Sequence, residues 1–166
     1  DFRDERICSV TLDAHKMLQA PYGTGIFLVR KGYLHYVCAE SASYVQGKDH
    51  TLCGSRSGAN AVAVWMVLHT YGRAGWEKKM QNLMERTDRL CAALRKHSIP
   101  NFRQHGMNLI TMPSKNVPEE IAKKYFLVAD QWNEKKKWWK IVVMEHITEE
   151  MISHFEQDLE KSTLGT

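Results

Sequence analysis

Between Gly54 and Leu94 the sequence runs almost entirely in helical period, interrupted at Gly72 and Gly75. Before the interruption, "GSRSGANAVAVWMVLHTYG" places Ala61, Trp65 and Leu68 on one stripe while Val62, Val64 and Met66 fill other faces. An apolar belt that wide predicts a buried helix. After it, Trp76, Met80, Leu83, Thr87, Leu90 and Leu94 recur at alternating four- and three-residue steps, which predicts a long amphipathic helix ending near His97 and Pro100. So much helix, with β-prone runs on both sides of it, restricts the chain to mixed α/β architectures.

The N-terminal flank holds two such runs. Ile7 to Leu12 is β-prone, and Gly25 to Val29 ("GIFLV") is nearly continuous in apolar character, which predicts a strand buried on both faces. Between them lies a segment with Lys16, Pro21, Gly23 and Gly25, residues that punctuate a chain and allow close backbone approach. Residues 33–53 show no sustained period and read as mainly irregular, and a loop of that length in a compact domain is usually functional. On the C-terminal side, residues 108–114 read as a strand, Pro118 opens a helix through Tyr125, and residues 138–145 read as a second strand. Thr148 caps a closing helix with Glu149 and Glu150 in its first turn. Strand, helix, strand, helix makes a small α+β lobe.

Composition excludes several functions. With 43% hydrophobic and 25% charged residues among 166, the chain is ordinary globular protein. Its most apolar stretch, Ala59 to Leu68, is far short of the roughly 20 residues a membrane crossing needs. The formal charge is only +4, and Lys135, Lys136 and Lys137, beside Trp138 and Trp139, read as a solvated turn feeding a strand rather than a nucleic-acid patch. The cysteines Cys8, Cys38, Cys53 and Cys91 form no Cys-x-x-Cys pair, so buried free thiols in a reducing, cytoplasmic compartment are expected. No His-Glu-x-x-His or close His/Cys pair occurs, so no metal site is expected.

The chemistry concentrates at "SVTLDAHKMLQAPYGTGIFLVRKG". A lysine at the end of a β-branched run, directly after His15 and ahead of a glycine-bearing turn, is either solvated or reactive. An amine becomes a Schiff-base former when its surroundings disfavour the ammonium and hold it against a carbonyl. The Gly23-Thr24-Gly25 turn is suited to a ligand lying close to backbone. On the residues alone, both readings of Lys16 stay open.

That run, followed by "ASYVQGKDHTLCGSRSGANAVAVWMVL", resembles the pyridoxal-phosphate-dependent group II amino-acid decarboxylases, the family of the glutamate, tyrosine, aspartate and aromatic amino-acid decarboxylases. The His-Lys pair and the glycine-serine-arginine stretch are the matching motifs, shared also with the sphingosine-phosphate lyase branch. The resemblance extends over all 166 residues. It implies the C-terminal part of a fold-type I enzyme: residues 1–72 as the end of the large-domain sheet with a mobile loop, 73–100 as a long connecting helix, and 101–166 as a small α+β domain.

Carried over residue by residue, the resemblance makes Lys16 the Schiff-base lysine and His15 the histidine that contacts the phosphate of pyridoxal 5'-phosphate. Asp13 stands where the family places a small polar residue near that phosphate, although an acid there would repel it. Gly54 and Ser55 resemble the stretch that reaches the phosphate of the neighbouring subunit, which implies a homodimer with the site at its interface. Tyr44 falls where the family has a loop tyrosine that reprotonates the substrate carbon after carbon dioxide leaves; a tyrosine simply packing on its own domain is the alternative. Arg56, Arg103 and His105 are further groups able to meet a carboxylate, with solvated or structural roles expected for the last two. The groups that the family places upstream of its lysine are absent, so the expectation is a C-terminal part completed by a missing N-terminal portion or a second chain. The implied activity is release of carbon dioxide from an amino acid. The alternatives are an aldehyde lyase of the sphingosine-phosphate branch and a non-catalytic dimerisation remnant.

Overall fold

In a computed structural model, residues 2–37, 56–133 and 136–164 are described. The chain divides into two compact units, Asp1–Ala74 and Gly75–Thr166. The division falls just beyond Gly72, where the helix α1 (Gly58–Lys96) is broken. Gly72 has φ 55° and ψ −173°, a conformation that a residue with a Cβ adopts only under strain. The interruption read from the sequence is therefore a backbone break that the glycine makes possible.

In the first unit, β1 (Ser9–Asp13) pairs antiparallel with β2 (Gly25–Val29), from Ser9 opposite Val29 to Asp13 opposite Gly25. Arg30 ties down the residues ahead of the pair: its Nη2 donates to the carbonyls of Phe2 (3.0 Å) and Asp4 (2.7 Å), and its Nε to that of Ile7 (3.1 Å). A short 3₁₀ turn, Leu34–Tyr36, follows β2. Two expectations fail in this unit. Strand β2 is not buried on both faces, since Phe27 is 48% exposed and Leu28 is as open. Nor is the first half of α1 buried, since Trp65 is 62% exposed and Val62, Met66 and Leu68 are also exposed. The reason is the same for both: a two-stranded ladder and one helix bury wide apolar faces only against a further layer, and the described residues of this unit supply none.

The second unit has a closed core. Strands β3 (Leu109–Pro113), β4 (Val128–Asn133) and β5 (Lys136–Val142) form an antiparallel sheet in the order β3-β5-β4. Helix α2 (Glu119–Lys124) and helix α3 (Glu149–Leu164) complete the unit with the second half of α1. Leu83, Thr87, Leu90 and Leu94 of α1 are buried at the spacing expected from the sequence. Ile110 and Met112 alternate inward along β3, and Ile152, Phe155 and Leu159 form the inner stripe of α3. Tyr125 packs edge-on against Phe155 at 5.0 Å between ring centres and donates its hydroxyl to Asp158 (2.7 Å). Burial first, and that acceptor second, push its phenol up to about 12.

The ends of these helices follow local rules. At the end of α1, Ile99 N–H donates to Leu94 O and Ser98 N–H to Arg95 O, with Ser98 at φ 55°. This is a Schellman closure in which serine takes the left-handed position that glycine usually fills. Helix α2 ends the same way, through Leu127 to Ala122 and Phe126 to Lys123, with Phe126 at φ 52°. Thr148 accepts from Met151 N–H at 3.1 Å, the expected cap of α3. Thr148→Ala is expected to cost about 1 kcal/mol of stability, read as a lowered midpoint in urea unfolding.

The lobe is richer by one strand than expected. Val128–Asn133 carries no strand pattern in the sequence, because Asp130 and Gln131 break its apolar alternation, and its register with β5 is irregular between Gln131 and Asn133. Cross-strand pairing, including an ion pair from Lys140 Nζ to Asp130 (2.9 Å), holds it in the sheet. Lys136 and Lys137 accordingly lie in β5 rather than in a turn. Pro118 is the cap of α2 rather than its first helical residue.

Candidate active site

The site grows from the loop of residues 14–24 that joins β1 to β2. Asp13 ends β1, and Lys16 N–H donates to Asp13 O at 3.1 Å, so the lysine stands on the first turn beyond a strand end. The loop then folds back on itself: Ala20 N–H donates to Ala14 O (3.0 Å), and Ala14 N–H to Thr24 O (2.9 Å). Ala14, Leu18, Ala20 and Thr24 are its buried residues, and they set the loop's shape.

Lys16 is held, but not as a free amine. Its Nζ lies 2.7 Å from Asp13 Oδ2, and its side chain is 66% exposed. The hydrogen bond to Asp13, then the charge of that carboxylate, push the lysine above its ordinary value, and the same contact lowers Asp13. Within this chain the surroundings of Lys16 favour the ammonium, and Asp13 has a partner. Asp13→Asn removes a group that favours the ammonium, so Lys16 loses its proton at lower pH. The expected result is greater labelling of Lys16 by an amine-selective reagent at mildly alkaline pH, quantified by mass spectrometry against Lys31 of the same molecule.

His15 meets the far end of the same loop. Its Nδ1 lies 3.2 Å from Thr24 O, and its ring meets Tyr22 edge-on at 5.4 Å between centres. Thr24 also lines a cleft of about 600 Å³ whose other walls include Gly23, Gly25, Arg56, Ser57, Gly58 and Asn60. Arg56 and Ser57 immediately precede α1, whose first turn carries no acidic residue. Unsatisfied amides at a helix start, a guanidinium and a hydroxyl suit an anionic group such as a phosphate. Lys16 and His15 do not line this cleft, and Thr24, whose carbonyl meets His15, is the residue common to the two.

The structure pairs Lys16 with Asp13 and sets His15 against Thr24 O and Tyr22. Tyr44, Gly54 and Ser55 lie outside the described residues. Thr24, Ser57 and Asn60 were not assigned roles from the sequence; a serine directly before a helix start was the readable signal for Ser57. Arg103 has a structural role, donating to Met107 O (2.6 Å) and pairing with Asp88. Of the cysteines, Cys91 is buried and Cys8 exposed, both as free thiols, while Cys38 and Cys53 lie outside the described residues. Among the described residues His97, Glu156 and Glu160 bring ligand atoms within 4.8 Å of one another, and Lys96 Nζ already bridges both carboxylates at 2.8 and 3.1 Å. No described helix is long and apolar enough to cross a membrane.

No protein-family model matches the chain. Among curated proteins it is 47% identical over 161 residues to the tryptophan decarboxylase of Clostridium sporogenes, covering 97% of this chain and 39% of that protein. Among solved structures it superposes on glutamate decarboxylase of Lactobacillus brevis with a TM-score of 0.73 at 16% identity, covering 98% of this chain and 41% of that one. It superposes on the sphingosine-1-phosphate lyase of Burkholderia pseudomallei with a TM-score of 0.77 at 18% identity, covering 98% and 39%. These likenesses establish the fold as that of fold-type I pyridoxal-phosphate enzymes. The chain spans about two fifths of the length of the curated relatives it matches, several of them named aspartate or tyrosine/aspartate decarboxylases. With the His-Lys loop at the end of β1 and a 47% identity along almost its whole length, the chain is similar to part of the amino-acid decarboxylases named among its relatives.

Proposed function

We propose that this chain carries the cofactor-binding lysine of a pyridoxal-phosphate-dependent L-amino-acid decarboxylase, and that tryptophan is the first substrate to test. The observation that carries this reading is the 47% identity over 161 residues to a tryptophan decarboxylase. When bound, pyridoxal phosphate supplies an aldehyde for a lysine amine and an electron sink for the pair left behind when carbon dioxide departs. Lys16 supplies that amine. Before it can act as a nucleophile it must give up a proton and leave Asp13, 2.7 Å away. His15, Arg56 and Ser57 would hold the phosphate, and Gly54 and Ser55 would serve the phosphate of a second subunit. Tyr44 returns a proton to the substrate Cα.

In this reading residues 1–72 belong to the cofactor-binding large domain, 73–100 to a connecting helix, and 101–166 to a small C-terminal domain. The complete site forms with the remainder of the enzyme in a homodimer, and the exposed faces of β2 and of the first half of α1 are the surfaces that the remainder has to cover. The enzyme works in the cytoplasm, where Cys8 and Cys91 stay reduced. The lyase alternative rests on likeness of fold alone, at 18% identity.

The test is to incubate the intact protein with pyridoxal phosphate, reduce it with borohydride and map the modified residue. A single label on Lys16, together with carbon dioxide release from L-tryptophan or another L-amino acid, is the expected result. Labels scattered over surface lysines, or aldehyde released from a phosphorylated amino alcohol, would overturn the reading.

A further inference from the structure

We infer that Thr24 is a positioning residue that fixes His15 with its hydrogen on Nδ1, leaving Nε2 as the nitrogen that exchanges a proton with a bound anion. The argument starts from one oxygen. The carbonyl of Thr24 lies within hydrogen-bonding distance of Ala14 N (2.9 Å), His15 N (3.3 Å) and His15 Nδ1 (3.2 Å). A carbonyl only accepts, so Nδ1 must carry the hydrogen, and the neutral ring then holds its lone pair at Nε2.

What aims that carbonyl is the side chain of the same residue. Thr24 is 6% exposed, one of two buried polar residues among those described, and its Oγ1 donates to Pro21 O across the turn. Gly23, at φ +78°, lets the chain reverse there. The hydroxyl thus closes the Pro21–Thr24 turn, the turn sets the carbonyl, and the carbonyl sets the imidazole. Thr24 is also a wall of the cleft that Arg56 and Ser57 line.

The consequence rests on the reading of His15 as a phosphate contact. With Nδ1–H committed to a carbonyl, an anion oxygen meeting Nε2 shares one proton with it: either the ring is charged and donates, or the protonated anion donates to the ring. The same carbonyl–imidazole arrangement orients histidines in metal sites, where the outer partner selects the tautomer.

The test is ring-nitrogen NMR of the intact protein labelled with ¹⁵N-histidine, with His15→Gln assigning the signal. At a pH where His15 is neutral, the Nδ1–H form should predominate. Thr24→Val keeps the shape and removes the hydroxyl, and is expected to move the tautomer ratio toward Nε2–H by roughly fivefold, about the worth of one ordinary hydrogen bond. Thr24→Ser should restore the wild-type ratio. A wild-type ring in the Nε2–H form, or a ratio unmoved in Thr24→Val, overturns the inference. Should Thr24→Val not fold, the wild-type and Thr24→Ser spectra decide: Nδ1–H in both supports the inference, and Nε2–H in either overturns it. The borohydride mapping is independent of this result, so a failure of the cofactor reading and a failure of the tautomer lock are distinguishable.

Discussion

Replacing Lys16 by alanine is expected to lower decarboxylation by the intact enzyme on the order of 10³-fold or more, equivalent to about 4 kcal/mol of barrier at 1.36 kcal/mol per decade. The effect is this large because the lysine amine is asked to form a covalent bond, and no neighbouring group replaces it. Lys16→Arg separates the proposed covalent role from the ion pair with Asp13. An arginine keeps the positive charge and the pairing with Asp13, but its guanidinium stays protonated and does not condense with an aldehyde. Lys16→Arg should therefore be as inactive as Lys16→Ala, and neither should take up pyridoxal phosphate at this position. Lys31→Ala, beyond β2 and outside the loop, should retain activity and labelling. If Lys16→Arg kept substantial activity, the side chain would be serving as a charge alone, and the proposed chemistry would fail.

Leu94→Ala should be strongly destabilising to the second unit, at about 3 kcal/mol within the usual 2–5 kcal/mol for such truncations. Leu94 is fully buried, and it belongs to the core cluster that includes Ile110, Met112, Ile152, Phe155 and Leu159. It also stands at the point where α1 closes, since its carbonyl accepts from Ile99 N–H in the Schellman turn. The truncation therefore leaves a cavity beside a helix end whose backbone has little room to collapse into it. Thermal unfolding should move down by about 4–8 °C for each kcal/mol in a unit of this size. Leu94→Met nearly conserves volume and should cost under about 1.5 kcal/mol. Equal losses for the two variants would mean that the site is sensitive to shape alone and that the cavity argument is wrong.

Much of this molecule is legible locally. Strand β2 begins and ends where its apolar run does, α3 starts at its threonine cap, and the inner face of α1 from Leu83 to Leu94 follows its four- and three-residue steps. The break at Gly72 is equally local, because it depends on the conformational range of one residue. Strand β4 was missed for the opposite reason. Its residues lack a pattern of their own, and pairing with β5, itself a non-local event, makes them a strand. The two non-glycine residues at positive φ that end α1 and α2, Ser98 and Phe126, were hidden likewise; Phe126 is 89% exposed, and its N–H donates to Lys123 O in the closing turn.

The candidate site divides along the same line. Identity of chemistry resides in the sequence: an amine, an imidazole and an acid within four residues, with the glycine-serine-arginine stretch downstream. Their arrangement does not. Lys16 pairs with Asp13 only because β1 ends and turns at that acid, and His15 is oriented by a carbonyl nine residues away that folding of the loop brings to it. Burial was misjudged for β2 and for the first half of α1 because apolar pattern reports the wish of a face to be covered, whereas coverage needs partners that pattern alone does not identify. Sequence alone determined which groups and which local turns are present; tertiary structure decided which of them meet, because contacts between distant residues depend on the whole packed chain.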